Sequence, residues 1–205
     1  MVEIAAIVLA AGTSSRFRAA GGGGSKLLAP LAGKPLVRHA VDAALASRAR
    51  PVVVVTGSDR DAVETALQGA AVGFVHNPDY ASGLASSVKS GVAALAPGVA
   101  AAIVLLGDMP AVPPALLDRL IDAFAGGPDA LAVAPFRDGR RGNPVLLARA
   151  LFPAVAALRG DEGARTLLDA AAPGQVLAVG EADAGATLDV DTPEALAQAS
   201  ARLER

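Results

Sequence analysis

One stretch near the start limits the possible folds more than any other. Ile4–Ala10 is an unbroken apolar run, and it breaks abruptly into Ala11-Gly12-Thr13-Ser14-Ser15-Arg16. A short run that is apolar at every position suits a strand buried on both faces, as in a parallel sheet covered by helices. Small residues directly after such a strand let a ligand approach the backbone, whose N–H groups can point at a phosphate. Arg16, and Lys26 beyond a glycine tract, add fixed positive charge suited to phosphate oxygens. The bland alternative is a Gly/Ala-rich solvent loop. The tract Ala19–Gly24 is low in complexity and is expected to be flexible without ligand.

The rest of the chain repeats the alternation of strand and helix, which predicts an α/β fold with a mostly parallel sheet. Strands are predicted over Ile4–Ala10, Pro51–Thr56, Val72–Val75, Ala101–Leu106, Ala130–Ala134 and Val176–Val179. Helices are predicted over Pro35–Ser47, Asp59–Leu67 and Leu84–Leu95, with Asp59 and Ser82 as N-caps. Another helix opens at Pro113-Pro114 and closes at Gly126-Gly127, and a last one starts at Thr192-Pro193-Glu194. No linker interrupts the pattern, so residues 1–205 are expected to form one domain. Ligands of parallel sheets sit beyond the C-terminal strand ends, here the loops after Ala10, Val55, Val75 and Leu106.

Composition narrows the function. The sequence has no cysteine, which removes disulfides, thiolate metal sites and cysteine nucleophiles. Its net charge of −2 argues against a broad nucleic-acid-binding face. The apolar run Val99–Leu106 is too short to cross a bilayer, and Glu3 stands where a secretory signal would be basic. A cytoplasmic setting with no membrane partner is expected.

Four further segments carry candidate chemistry. Asp108, in Gly107-Asp108-Met109-Pro110, follows a predicted buried strand and so lies at the ligand edge. Mg2+ uses one or two carboxylates and leaves its other positions to water and phosphate oxygens; an ordinary turn or capping Asp is the alternative. Asp189 and Asp191 are spaced to point the same way on an extended segment. Asp189 is the better partner for Asp108, because Asp191 can cap the last helix alongside Thr192. The segment from Asn77-Pro78 through Gly83-Leu84-Ala85-Ser86-Ser87-Val88 is a loop entering a helix whose first turn carries serines; its free N–H groups and hydroxyls suit a base edge or a ribose, or plain capping by Ser82. Arg140-Arg141-Gly142-Asn143-Pro144-Val145-Leu146 and Gly160–Arg165 are either surface turns or, through their arginines, contacts for an anionic second substrate. The two histidines, His39 and His76, sit in unrelated contexts and read as structural or surface residues. Neither a P-loop nor a G-x-G-x-x-G fingerprint is present, which makes hydride transfer to a nicotinamide cofactor a poor reading.

Together these segments resemble the molybdenum cofactor nucleotidyltransferase family, within the Rossmann-like, three-layer nucleotide-diphospho-sugar transferase fold. The family pattern LAAG-x-S-x-R…K matches Leu9-Ala10-Ala11-Gly12, Ser14, Arg16 and Lys26; GDMP matches Gly107–Pro110. Later elements match Gly142–Leu146, Gly160–Arg165 and Asp189–Glu194, in order along the chain. Leu-Ala-Ala-Gly resembles the cytidylyltransferase branch rather than the guanylyltransferase branch. The resemblance departs where Phe17-Arg18 replace the usual Met-Gly and where Ala19–Gly24 lengthen the loop.

The resemblance implies transfer of CMP from CTP to the terminal phosphate of molybdopterin, with pyrophosphate released and a possible handover to a molybdoenzyme of the xanthine dehydrogenase type. It implies catalytic roles for Arg16, Lys26 and Asp108, and Mg2+ on Asp108 and Asp189. Leu9, Ala10, Ala11, Gly12, Thr13, Ser14, Gly83, Ser86, Ser87 and Gly107 are the implied nucleotide contacts. Arg141, Asn143 and Arg165 are the implied acceptor contacts. Rival expectations are the same chemistry with GTP or with a sugar or polyol phosphate, and a non-catalytic cofactor chaperone.

Overall fold

The computed structural model describes residues 2–137, 140–172, 174–180 and 189–203. The first half of the chain runs β1 (Ile4–Ala10), α1 (Ser15–Ala19), β2 (Pro30–Leu31), β3 (Lys34–Pro35), α2 (Leu36–Ala46), β4 (Val52–Thr56), α3 (Arg60–Ala66), β5 (Gly73–His76) and α4 (Leu84–Ala93). The second half runs β6 (Ala101–Leu106), α5 (Pro114–Gly126), β7 (Ala132–Arg137), β8 (Arg140–Arg141), β9 (Val145–Ala148), α6 (Phe152–Val155), α7 (Ala164–Asp169), β10 (Val176–Val179) and α8 (Pro193–Leu203).

The main sheet has the order β5-β4-β1-β6-β9-β7-β10. β1 pairs in parallel with β4 and β6, β4 with β5, and β7 with β10, while β9 lies antiparallel between β6 and β7. Every residue of β1 is buried. Its alternate side chains serve opposite layers, as strand geometry requires. Ile4, Ala6, Val8 and Ala10 join a core built with α2, α3 and α5; Ala5, Ile7, Leu9 and Ala11 join one built with α4, α6 and α7. The result is the helix–sheet–helix sandwich expected from the sequence.

Chain order explains where the cleft opens. After β1 the chain builds outward through β4 to β5, then returns to place β6 on the other side of β1. Loops leaving β1 and β6 therefore diverge at a switch point, which leaves a crevice at the strands' C-terminal ends. Gly107 closes the base of that crevice: its N–H donates to the Leu9 carbonyl at 2.9 Å, and a Cβ there would lie 2.9 Å from the same oxygen.

A third, small cluster holds the C-terminal helix. Leu31 and Leu36 pack with Val190 and Ala199, so α8 docks on the β2–β3 hairpin. The Val190 N–H donates to the Asp108 carbonyl at 3.1 Å, which brings the last acidic motif to the β6 loop.

Several local expectations differ from the structure. Asp59 precedes α3 but makes no side-chain capping bond. Gly83, not Ser82, precedes α4, because the Ser82 hydroxyl donates instead to the Asp79 carbonyl at 2.7 Å. The tract after Ala19 is not shapeless: Gly21 and Gly22 N–H groups return to Arg18 and Phe17 carbonyls, so the turn folds over the Phe17 ring. β9 lies within a segment read as a turn and motif, and β7 runs from Ala132 to Arg137 rather than ending at Ala134.

Candidate active site

The loop after β1 turns through Ser14, a buried residue in the left-handed region at φ 56°. Its hydroxyl repays that strain by accepting the Lys26 N–H at 3.0 Å. The extended loop therefore closes on itself, and this contact fixes where Lys26 begins. The Lys26 side chain then reaches two carboxylates at once. Its Nζ lies 2.6 Å from Asp108 Oδ2 and 2.7 Å from Asp191 Oδ1. Arg16 meets the other oxygen of Asp191 at 2.5 Å.

Burial alone would lower the Lys26 ammonium. Asp108, through charge and hydrogen bond, and then Asp191 outweigh it and raise Lys26 above its ordinary value. Asp189 is pushed up to about 6, first by desolvation of its carboxyl and then by the Asp108 and Asp191 charges; Lys26 and Arg16 pull it back only in part. Asp108 and Asp191 thus share the Lys26 ammonium, and the Asp189 carboxyl feels these charges without a direct ion pair to Lys26 or Arg16 among the described contacts.

Around this point lies a cleft of about 530 Å³, a volume suited to a small-molecule ligand. Leu9, Ala11, Gly12, Thr13, Ser14 and Arg16 line one side, and Tyr80, Gly83 and Ser87 line another. Lys26, Asp108 and Asp191 complete it. A second cavity of about 300 Å³ shares Leu9, Leu84, Leu106 and Asp161 with the first and adds Asn143, Gly163 and Asp169. The two spaces adjoin along these shared residues.

Some sequence-derived site residues stand behind these walls. Ala10 faces the helix layer, and Ser86 donates its hydroxyl proton to the Gly83 carbonyl at 2.8 Å. Gly107 is held by Leu9. Arg141 pairs with Asp169 at 3.0 Å beside the second cavity. Thr187, Leu188 and the side chains of Arg137, Arg140 and Arg165 lie outside the described residues. The loop after β4 backs the first loop, with the Ser58 N–H donating to the Ala11 carbonyl at 3.3 Å. His39 bonds the Leu31 carbonyl at 2.8 Å, and His76 is exposed at the end of β5, away from the cluster.

Sequence reasoning undervalued Asp191. Thr192 caps the last helix, its Oγ1 accepting the Ala195 N–H at 3.2 Å, while Asp191 faces Lys26 and Arg16. Tyr80, the only tyrosine in the sequence, also lines the cleft without having been singled out. Its rarity was the one available signal.

A divalent cation fits the residues present. Asp108 Oδ1 is buried with no hydrogen-bond partner, a costly state for a carboxylate oxygen unless a cation takes it. Among the described residues no group of three or more acidic or imidazole side chains forms a metal cage.

A family model described as a MobA-like NTP transferase domain matches residues 6–176. The chain belongs to this family. It is 33% identical over 201 residues to the purine catabolism protein PucB of Bacillus subtilis, covering 92% of this chain and 91% of PucB. It is also 33% identical to the nicotine blue oxidoreductase of Paenarthrobacter nicotinovorans, covering 93% of each. The bifunctional protein GlmU of Sinorhizobium fredii is 35% identical over 131 residues, but the chain spans only 28% of its length. Rv0371c from Mycobacterium tuberculosis H37Rv superposes with a TM-score of 0.81 at 28% identity, covering 98% of both chains. Its manganese complex superposes at 0.76 and 27% identity, covering 98% of this chain and 99% of that one. The transferase is thus an enzyme of the nucleotidyl-transferring kind, with the fold to match.

Proposed function

We propose that this transferase moves CMP from CTP to the terminal phosphate of molybdopterin, giving molybdopterin cytosine dinucleotide and pyrophosphate. The observation that carries the reading is the placement of Lys26. It lines the larger cleft where the loop after β1, Asp108 and Asp191 converge, and a smaller cavity adjoins that cleft through Leu9, Leu84, Leu106 and Asp161. An acceptor phosphate oxygen forms a bond to the α-phosphorus, and the bond from that phosphorus to the bridging oxygen breaks. The electron pair leaves with pyrophosphate. No base is required, since a phosphate acceptor is already ionised at neutral pH. This agrees with the absence of a histidine from the described cluster.

Catalysis of this kind is positioning and charge neutralisation. Loop N–H groups from Ala11 to Arg16, with the Arg16 guanidinium, hold the departing phosphates. Lys26 meets charge growing at the α-phosphorus. Asp108 and Asp191, with Asp189 nearby, would hold Mg2+ or a similar ion, which supplies further neutralisation of the phosphate oxygens; the manganese bound by the Rv0371c protein supports this assignment. Ala11 in place of glycine narrows the base end by a methyl group and favours a pyrimidine. Arg141, Asn143 and Arg165 are the acceptor contacts in this reading. The product would pass to a molybdoenzyme of the xanthine dehydrogenase type in the cytoplasm.

The test is pyrophosphate release with each nucleoside triphosphate, with and without molybdopterin and with sugar phosphates as rival acceptors. Release dependent on CTP and molybdopterin together supports the proposal. Release only with GTP, or only with a sugar phosphate, overturns it.

A further inference from the structure

The loop between β5 and α4 contains a buried polar cluster centred on Asn77. Asn77 is 1% exposed, yet it is a fully polar amide. Its N–H continues the sheet edge by donating to the Thr56 carbonyl at 2.8 Å. Its Oδ1 accepts the Asp79 N–H at 3.0 Å, which fixes which way the amide faces. Nδ2 must then point the other way, where it donates to Ser86 Oγ at 2.8 Å and Ser87 Oγ at 3.1 Å. Both amide protons are used.

The two serines dispose of their own protons differently. Ser86 sends its proton to the Gly83 carbonyl. Ser87 has no such acceptor among the described groups, and it lines the nucleotide cleft while only 5% exposed. With its oxygen accepting from Asn77, the Ser87 hydroxyl proton is left for an acceptor in the cleft that the residue lines. A buried donor of fixed polarity selects against a ligand that cannot accept there, because the unmatched group bears the full desolvation penalty.

We infer that Asn77 is a specificity-determining positioning residue: it pins Ser87 as a hydrogen-bond donor to an acceptor atom on the nucleotide base, such as a ring carbonyl. The inference rests on the reading that the cleft takes a nucleoside triphosphate. Asn77 touches no ligand itself. It acts through Ser87, and through Asp79 it also anchors the turn that carries Tyr80 to the cleft wall.

The polarity can be reversed chemically. Asn77→Asp replaces the donating amide with an acceptor that draws the Ser87 proton away from the cleft. Calorimetric titration with CTP and with tripolyphosphate, which has no base, separates the base contact from the phosphate contacts. Asn77→Asp and Ser87→Ala should each weaken CTP about ten- to a hundredfold and leave tripolyphosphate unchanged. The double variant should lose no more than Ser87→Ala alone. Asn77→Ala, which buries no charge, should show the same pattern with a loss of about three- to tenfold, so the test survives poor folding of the aspartate variant. Equal losses for both ligands, multiplicative losses in the double variant, or full CTP affinity in Asn77→Asp would each overturn the inference. Wild-type protein that binds no nucleoside triphosphate better than tripolyphosphate would instead defeat the nucleotide reading, and the inference with it.

Discussion

Replacing Lys26 with methionine keeps the length of the side chain and removes the charge that joins Asp108 to Asp191. The Lys26, Asp108 and Asp191 side chains are only 12%, 19% and 29% exposed, so water cannot fully replace the lost ammonium. Breaking a fully buried ion pair from one side costs about 3–5 kcal/mol. Residual exposure and the surviving Arg16–Asp191 contact reduce this to about 2–3 kcal/mol here. For a chain of this size that corresponds to a Tm lowered by about 5–10 °C near neutral pH.

The pH dependence follows from Asp189. Its folded pKa of about 6 lies above the ordinary 3.8, so its contribution to stability is present below 3.8 and lost as pH rises through about 6. Lys26 is one of the groups holding that value down, so Lys26→Met shifts the loss to higher pH. The gap between variant and wild type should be widest near neutral pH and should narrow as pH falls through about 6. Thermal melts across that range, with and without Mg2+ or Mn2+, read both effects. Divalent cation should stabilise Lys26→Met more than wild type, since it can occupy carboxylates no longer paired with an ammonium. A variant as stable as wild type near neutral pH, with no added response to metal, would refute the view that Lys26 compensates these carboxylates.

Asp108→Asn should lower kcat/KM by about a hundredfold or more while the fold survives, measured by pyrophosphate release alongside circular dichroism; near-normal turnover would favour a non-catalytic carrier. Thr192→Ala removes the cap of α8 and should cost about 1 kcal/mol in a denaturant melt. Gly83→Ala forces a Cβ into the Gly160 backbone at φ 107° and should cost about 1–3 kcal/mol and weaken CTP binding, both readable in one thermal-shift titration.

Much of the fold was legible because burial leaves a plain mark on sequence. The boundaries of Ile4–Ala10, Ala101–Leu106 and Val176–Val179 agree with β1, β6 and β10, the first two being nearly all apolar and flanked by turn residues. β9 was harder: a four-residue apolar strand gives no period by which to separate it from the helical residues that follow. β2 and β3 are two residues each, and only the Ala32-Gly33 pair, both at positive φ, marks their turn. The loops were legible as chemistry rather than as contacts. Arg16, Lys26 and Asp108 stood out by type and place. Asp191 did not, because a carboxylate before Thr-Pro reads equally as a cap, and only the docking of Val190 and Ala199 on the hairpin turns it inward. Asn77 stood out as the start of a candidate segment, but its contacts did not, since its partners lie nine and ten residues away across a turn.

The central claim is nucleotidyl transfer from CTP to molybdopterin within one cleft built around Lys26, Asp108 and Asp191. The most direct measurement is product analysis by mass spectrometry after incubation with Mg2+, molybdopterin and an equal mixture of CTP and GTP. The account predicts molybdopterin cytosine dinucleotide and pyrophosphate in equal amounts, and loss of both with Asp108→Asn. A guanine dinucleotide as the main product, or no dinucleotide from either nucleotide, would contradict it.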